Sequence, residues 1–293
     1  MNSPILAVHD LAYVYPGGVQ ALQGLYLSVP KGRKLALVGG NGSGKTTLLL
    51  HLNGTLKPCQ GQVLLDGRPA AYHRRDLKVW RRRIGLVLQE PDDQLFAARV
   101  YQDVSFGPLN MGVPELETHV RVQEALDILG IGHLAERATH LLSWGQKKRV
   151  AIAGILAMHP EVLILDEPTA GLDFEGTVQL LDALQKLSTA GATLVFSTHD
   201  VDLAYAWADE VAVFSEGTVL KQGDPVDILA DQGLLRQAKL KTPTVLALAQ
   251  ELRRRGHSLD PARLPRSEAA LLTVIGECLG SDLAGRFAGT YNH

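Results

Sequence analysis

Residues 39–46 read GGNGSGKT, and what this stretch means depends on its neighbours. It fits the spacing G-x-x-x-x-G-K-[ST], which alone could describe a chance glycine-rich turn. Upstream, KLALVG is continuously apolar and reads as a buried strand; downstream, GKTTLLLHLNG carries leucines at helical spacing and stops at Gly54. A strand, a glycine loop and a helix in that order make a phosphate cradle. Glycines let the backbone wrap an anion, N–H groups and the helix dipole face its charge, Lys45 reaches the terminal phosphates and Thr46 offers a hydroxyl to magnesium. The candidate phosphate-binding set is Gly39, Gly40, Asn41, Gly42, Ser43, Gly44, Lys45, Thr46 and Thr47.

A matching half lies further on. In VLILDEP (162–168) four apolar residues deliver Asp166 to the carboxyl edge of a sheet, beside the phosphate loop, where it can hold magnesium through water. Glu167 follows it and is the candidate base that polarises the attacking water.

The rest of the chain fits an α/β fold of the P-loop NTPase kind. Ile5 to Val38 alternate in short pieces broken by PGG (16–18) and VPKG (29–32), which predicts an antiparallel β subdomain. Residues 113–140 carry helical periodicity and predict a helical lobe, within a helical subdomain of about 90–150. Helices then alternate with the strands VLILDEP and TLVFSTH, which predicts a mostly parallel sheet flanked by helices. VAVFSEGTVLKQGD predicts a hairpin turning at Glu216 and Gly217. Past about residue 231 the pattern changes to short helices broken by KTP, RRRGH and PARLP, so residues 1–230 are expected to form the core domain and 231–293 a small appendage for dimerisation or regulation.

With 46% apolar residues among 293, the chain can bury a large core. Thirty-one acidic against 29 basic residues give a net charge of -2, so no global field draws it to nucleic acid, and no nucleic-acid partner is expected. Cys59 and Cys278 match no metal or redox spacing and are expected as reduced thiols of a cytoplasmic protein. MNSPILAVHD lacks the form of a signal peptide, and no run reaches the ~18 apolar residues of a membrane span, so a role at a membrane is expected to work by docking onto other chains.

Small GTPases, kinases and helicases share the first two motifs; the remaining ones discriminate. Gln89 ends IGLVLQ, SWGQ (143–146) precedes a helix, Asp173 closes AGLD, and His199 ends TLVFSTH. In that order, with Glu167, they resemble the nucleotide-binding subunit of ABC transporters, over about residues 5–230. The resemblance implies ATP and Mg2+ as ligands, with Thr46, Gln89 and Asp166 around the metal. It implies that Tyr15 stacks on adenine, that Gln89 senses magnesium and the attacking water, and that His199 contacts the terminal phosphate and holds Glu167 in line. It also implies a head-to-tail homodimer, in which Ser143, Gly145, Gln146 and Asp173 of one copy meet the nucleotide held by the other. Catalysis would then fall to Glu167, His199, Gln89 and Lys45.

The usual family wording at 142–146 is LSGGQ, and here Trp144 replaces the first glycine. A β-carbon is tolerated there if the residue starts the helix with negative φ, and costs about 1–2 kcal/mol if φ must be positive. The first case is expected, because Ser143 and Gly145 remain to make the contacts.

EPDDQLFAARVYQDVSFGPLNMGV (90–113) narrows the resemblance to the ATPases of energy-coupling-factor importers, which carry PDxQLF followed by V-x-x-D-V-x-F-G-P-x-N. That implies a transmembrane coupling protein, a small substrate-binding membrane component and a place on the cytoplasmic face of the inner membrane. Asp92 and Asp93 are expected near the docking groove, paired with arginines of the coupling protein. SFGPLNMGVPELE and LLRQAKLKTPTVLAL are similar to the cobalt or nickel type; a vitamin importer and a soluble non-transport ABC ATPase are the alternatives. His9, His51, His73, His133, His159 and His257 are scattered and match no ligand pair. Arginines 81–83 are expected as a solvated helix face and residues 147–149, KKR, as basic residues on the helix after the signature segment.

Overall fold

The computed structural model describes residues 4–257, 259–260 and 264–277; Cys278 lies outside them. The strands are β1 (Leu6–Val14), β2 (Gln20–Val29), β3 (Lys34–Val38), β4 (Gln60–Leu65), β5 (Arg68–Pro69), β6 (Ile84–Val87), β7 (Val162–Leu165), β8 (Thr193–Thr198), β9 (Glu210–Ser215) and β10 (Thr218–Gly223). The helices are α1 (Lys45–Leu52), α2 (Arg74–Arg83), α3 (Val100–Asn110), α4 (Glu115–Ile128), α5 (Trp144–Leu156), α6 (Phe174–Thr189), α7 (Val201–Trp207), α8 (Pro225–Leu229), α9 (Gln232–Gln237) and α10 (Thr244–Arg254).

Two sheets result. One is antiparallel, in the order β2-β1-β4-β5; the other runs β10-β9-β3-β8-β7-β6. In the second, β9, β3, β8, β7 and β6 are parallel and β10 closes the edge as an antiparallel hairpin partner. That hairpin turns at Glu216 (φ 47°) and Gly217 (φ 79°), the two positive φ values that match the strand twist in a two-residue turn.

The parallel strands have no polar face because both faces are covered. Leu35 and Leu37 of β3, Val162 and Ile164 of β7, and Ala212 and Phe214 of β9 join a core shared with the antiparallel sheet and α1. Their alternates, Ala36, Val38, Leu163, Leu165, Val211 and Val213, join a second core with α4, α5, α6 and α7. The period of two sends successive side chains to opposite sides, so VLIL needs four apolar residues in a row.

Leu234, Leu235, Val245, Leu246, Ala249, Leu264 and Leu271 enter that second core as well. The C-terminal stretch is also tied by polar bonds to α7: Tyr205 donates to Pro265 O at 3.0 Å, Arg266 to Tyr205 O at 2.8 Å, and Lys241 to Asp202 at 2.8 Å. The three arginines at 81–83 do not form a free solvated face. Arg81 donates to Gly54 O at 2.9 Å, Arg82 to Met111 O at 2.8 Å, and Arg83 bridges Asp66 and Glu161. Backbone carbonyls and two carboxylates that are remote in sequence come within reach of this helix only after folding.

Candidate functional site

At the carboxyl end of β3 the chain turns into a loop whose shape depends on glycine. A β-carbon on Gly39 would stand 2.4 Å from Phe214 O, and Gly44 holds φ 107° with its would-be β-carbon 2.6 Å from Ala21 O. Gly44 also caps α1, so the N–H groups of that helix face the loop without a competing side chain.

A cavity of about 370 Å³ opens over this loop. Its walls are residues 41–47, Tyr15 and Val19 from the β1–β2 turn, Gln20 and Ala21 at the start of β2, and Gln89, Asp166 and Glu167. Gly39 and Gly40 stand behind it: their carbonyls accept from Lys45 Nζ at 2.8 and 3.1 Å. Lys45 is buried, and burial lowers its pKa while Glu167 and Asp166 pull the other way. Ser43 Oγ is buried with no hydrogen-bond partner among the described residues, as suits a group meant for an anion. The Tyr15 hydroxyl lies 3.2 Å from Thr47 Oγ1, and its ring is edge-on to Tyr13 at 5.0 Å.

Across the loop, Asp166 is only 3% exposed and its Oδ2 accepts from Thr46 Oγ1 at 2.7 Å. Thr46, Asp166 and Gln89 thus present hard oxygen donors to one wall, a set that fits a magnesium ion. Glu167 is buried and takes a positive φ of 44°, a strained setting that turns it out of the strand direction toward the cavity. Its carboxylate meets His199 Nδ1, 3.1 Å from both oxygens. Ser197, which sequence reasoning missed, ties Glu167 to Asp166: its Oγ accepts from Glu167 N at 2.9 Å and donates to Asp166 Oδ1. The signal was a serine following the apolar run LVF inside a buried strand.

The remaining expected residues are not in the cavity. Ser143 is exposed and is the N-cap of α5: it accepts from Gln146 N, and Gln146 Oε1 accepts from Ser143 N at 3.0 Å, a reciprocal capping box. Asp173 is exposed and caps α6 through Gly176 N at 2.7 Å. Gly145 and Gln146 stay with Ser143, outside the pocket lining. Trp144 is the first residue of α5 and has no positive φ, the case expected from its sequence position. Its indole turns onto Gly171, whose would-be β-carbon would meet the ring at 3.2 Å.

A larger cavity, about 560 Å³, lies elsewhere. Gln94, Phe96, Asp103, Phe106, Gly107 and Asn110 line it, opposite Arg74, Lys78, Arg81 and Arg82 of α2. Asp92 and Asp93 are not among its lining residues, whereas Gln94 beside them is. Asp92 is paired with Lys147 at 2.6 Å, because α5 runs past its loop. The carboxylate that lines the groove is Asp103, and it accepts from Phe96 N and Ala97 N at 2.9 and 2.8 Å.

This arrangement joins a phosphate loop, a buried aspartate and glutamate ending the neighbouring strand, and a capped helix displaying Ser143 away from them. The ABC transporter family profile matches residues 22–170, just over half of the chain. The chain belongs to the ABC transporter family. This ABC ATPase is 57% identical to the cobalt import ATP-binding protein CbiO of Rhodobacter capsulatus, over 92% of this chain and 96% of that one. It is 47% identical to the energy-coupling factor transporter ATP-binding protein EcfA of Methanocaldococcus jannaschii, over 86% and 90%. Among solved structures, cbiO1 from Clostridium perfringens, part of the ABC transporter complex cbiONQ, superposes with a TM-score of 0.73 at 46% identity, covering 85% of this chain and all of that one. The ABC ATPase therefore binds ATP. Among its described residues no helix is long and apolar enough to cross a membrane.

Proposed function

We propose that this chain is the ATP-hydrolysing motor of an energy-coupling-factor importer, with cobalt or nickel ions as cargo. The observation that carries the reading is the split of the site: Ser143 and Asp173 stand exposed outside the cavity lined by Lys45, Asp166 and Glu167. A second copy set head to tail supplies the missing half. The Ser143 hydroxyl and the N-terminus of α5 then face the terminal phosphate held by the partner's loop.

In this reading Lys45 and the loop N–H groups hold the phosphates, and Tyr15 offers a ring to the adenine. Thr46, Asp166 and Gln89 hold Mg2+, which when bound neutralises phosphate charge and orients the terminal group. Glu167 takes the proton of the attacking water, and His199 holds that carboxylate in one rotamer. Hydrolysis removes the ligand that both copies share, so the closed dimer loses contacts and reopens.

The groove of Phe96 and Phe106 receives a helix of the transmembrane coupling protein, which passes the opening and closing to a small substrate-binding membrane component. That docking places the chain on the cytoplasmic face of the inner membrane. Residues 90–113 and the names of the relatives support the importer reading over a soluble ABC ATPase. The test is uptake of radioactive cobalt by proteoliposomes holding the complex of this chain with its membrane partners. ATP-dependent uptake that Glu167→Gln abolishes supports the assignment; ATP hydrolysis without uptake of cobalt or nickel overturns the choice of cargo.

A further inference from the structure

Lys148 lies on α5, a turn after Ser143, and is fully buried. Its ammonium donates to three backbone carbonyls: Gln89 O at 2.7 Å, Leu88 O at 3.0 Å and Asp166 O at 3.4 Å. The Trp144 ring covers it at 5.5 Å. A hydroxyl or amide could satisfy a carbonyl at less desolvation cost, so a buried charge needs a reason beyond packing. An ammonium has three donors around one point, and here they tie three loop positions to one helix.

The tie has a direction. Gln89 and Asp166 line the cavity of this copy, whereas the end of α5 displays Ser143 outside it. We propose that Lys148 is a positioning residue that couples the two nucleotide sites of the dimer. Filling one phosphate loop shifts Gln89 and Asp166, and Lys148 carries the shift to the helix end that caps the other nucleotide. The inference rests on the head-to-tail dimer proposed above.

The test uses the full chain carrying Glu167→Gln, so that ATP is held unhydrolysed. ATP binding to the dilute monomer is read with a fluorescent ATP analogue, and ATP-driven dimerisation by sedimentation. Lys148→Met is expected to leave monomer binding within about threefold but weaken dimerisation about tenfold or more, and to lower the Hill coefficient of dimer formation from about 2 toward about 1. Lys148→Arg, which keeps the charge, is expected to recover most of the cooperativity, and it keeps the test decisive if the methionine variant folds poorly. Unchanged dimerisation in Lys148→Met overturns the inference, and so does a loss of monomer binding as large as the loss of dimerisation, which marks a merely structural role. A Glu167→Gln parent that binds ATP yet never dimerises overturns the dimer reading itself, and the coupling with it.

Discussion

His199 Nδ1 stands 3.1 Å from each oxygen of the Glu167 carboxylate, with the histidine side chain 62% exposed and the glutamate almost covered. The open ring therefore reaches down to pin a buried carboxylate. Removing the ring frees Glu167 without removing it. His199→Ala is expected to lower kcat about 10- to 100-fold while ATP affinity changes less than about threefold. Steady-state hydrolysis beside equilibrium nucleotide binding checks this; an equal loss in both would place His199 in binding rather than in alignment.

Ser197 holds Asp166 and Glu167 from the β8 side. Ser197→Ala leaves the buried Glu167 N–H and one Asp166 oxygen without their partner, a loss of about 1–3 kcal/mol in stability. Chemical denaturation is expected to show that loss together with slower hydrolysis. Wild-type stability and activity in the alanine variant would contradict the role.

Trp144 replaces a glycine of the family wording, but its ring packs on Gly171 in the loop that leads to Asp173. Trp144→Gly removes that brace and adds backbone freedom at the first turn of α5. Hydrolysis in the assembled complex is expected to fall severalfold. A large gain in activity would show that the indole obstructs the interface.

Burial lowers the Lys148 pKa to about 8, against the opposing pull of Asp166, Glu90 and Glu167. The folded value lies below the unfolded one, so between about pH 8 and 10 the unfolded chain keeps a proton that the folded chain has released. Stability contributed by this group therefore rises with pH in that window, on the order of 1 kcal/mol per pH unit. The unfolding free energy of the wild type minus that of Lys148→Met is expected to grow accordingly. Lys45, also shifted down, is common to both proteins and cancels. A difference that stays flat would mean that burial leaves the Lys148 pKa at its unfolded value.

The phosphate loop, the acidic strand end and the hairpin at residues 216–217 were legible because each depends on local chemistry: glycine, apolar period and turn residues. The helical start at Trp144 was legible for the same reason, since Ser143 and Gln146 form their capping box within one turn. What the sequence concealed lies in contacts between distant segments. Ser197 reads as strand filler until β7 and β8 pair side by side. Lys148 reads as one cation in KKR until α5 packs over residues 88–89. Asp92 looked free for a partner because nothing local shows that Lys147 reaches it.

In the head-to-tail dimer proposed above, a second copy completes the nucleotide site. Ser143→Cys and Asn41→Cys, placed singly in two tagged copies of the Glu167→Gln chain with Cys59 and Cys278 replaced, report it directly. Asn41 is exposed at the cavity rim and Ser143 is exposed outside it, so oxidation can join them only where two chains meet. A disulfide between the two copies is expected to form with ATP and not without it; copies that both bind ATP yet show no ATP-dependent cross-link would overturn the head-to-tail dimer.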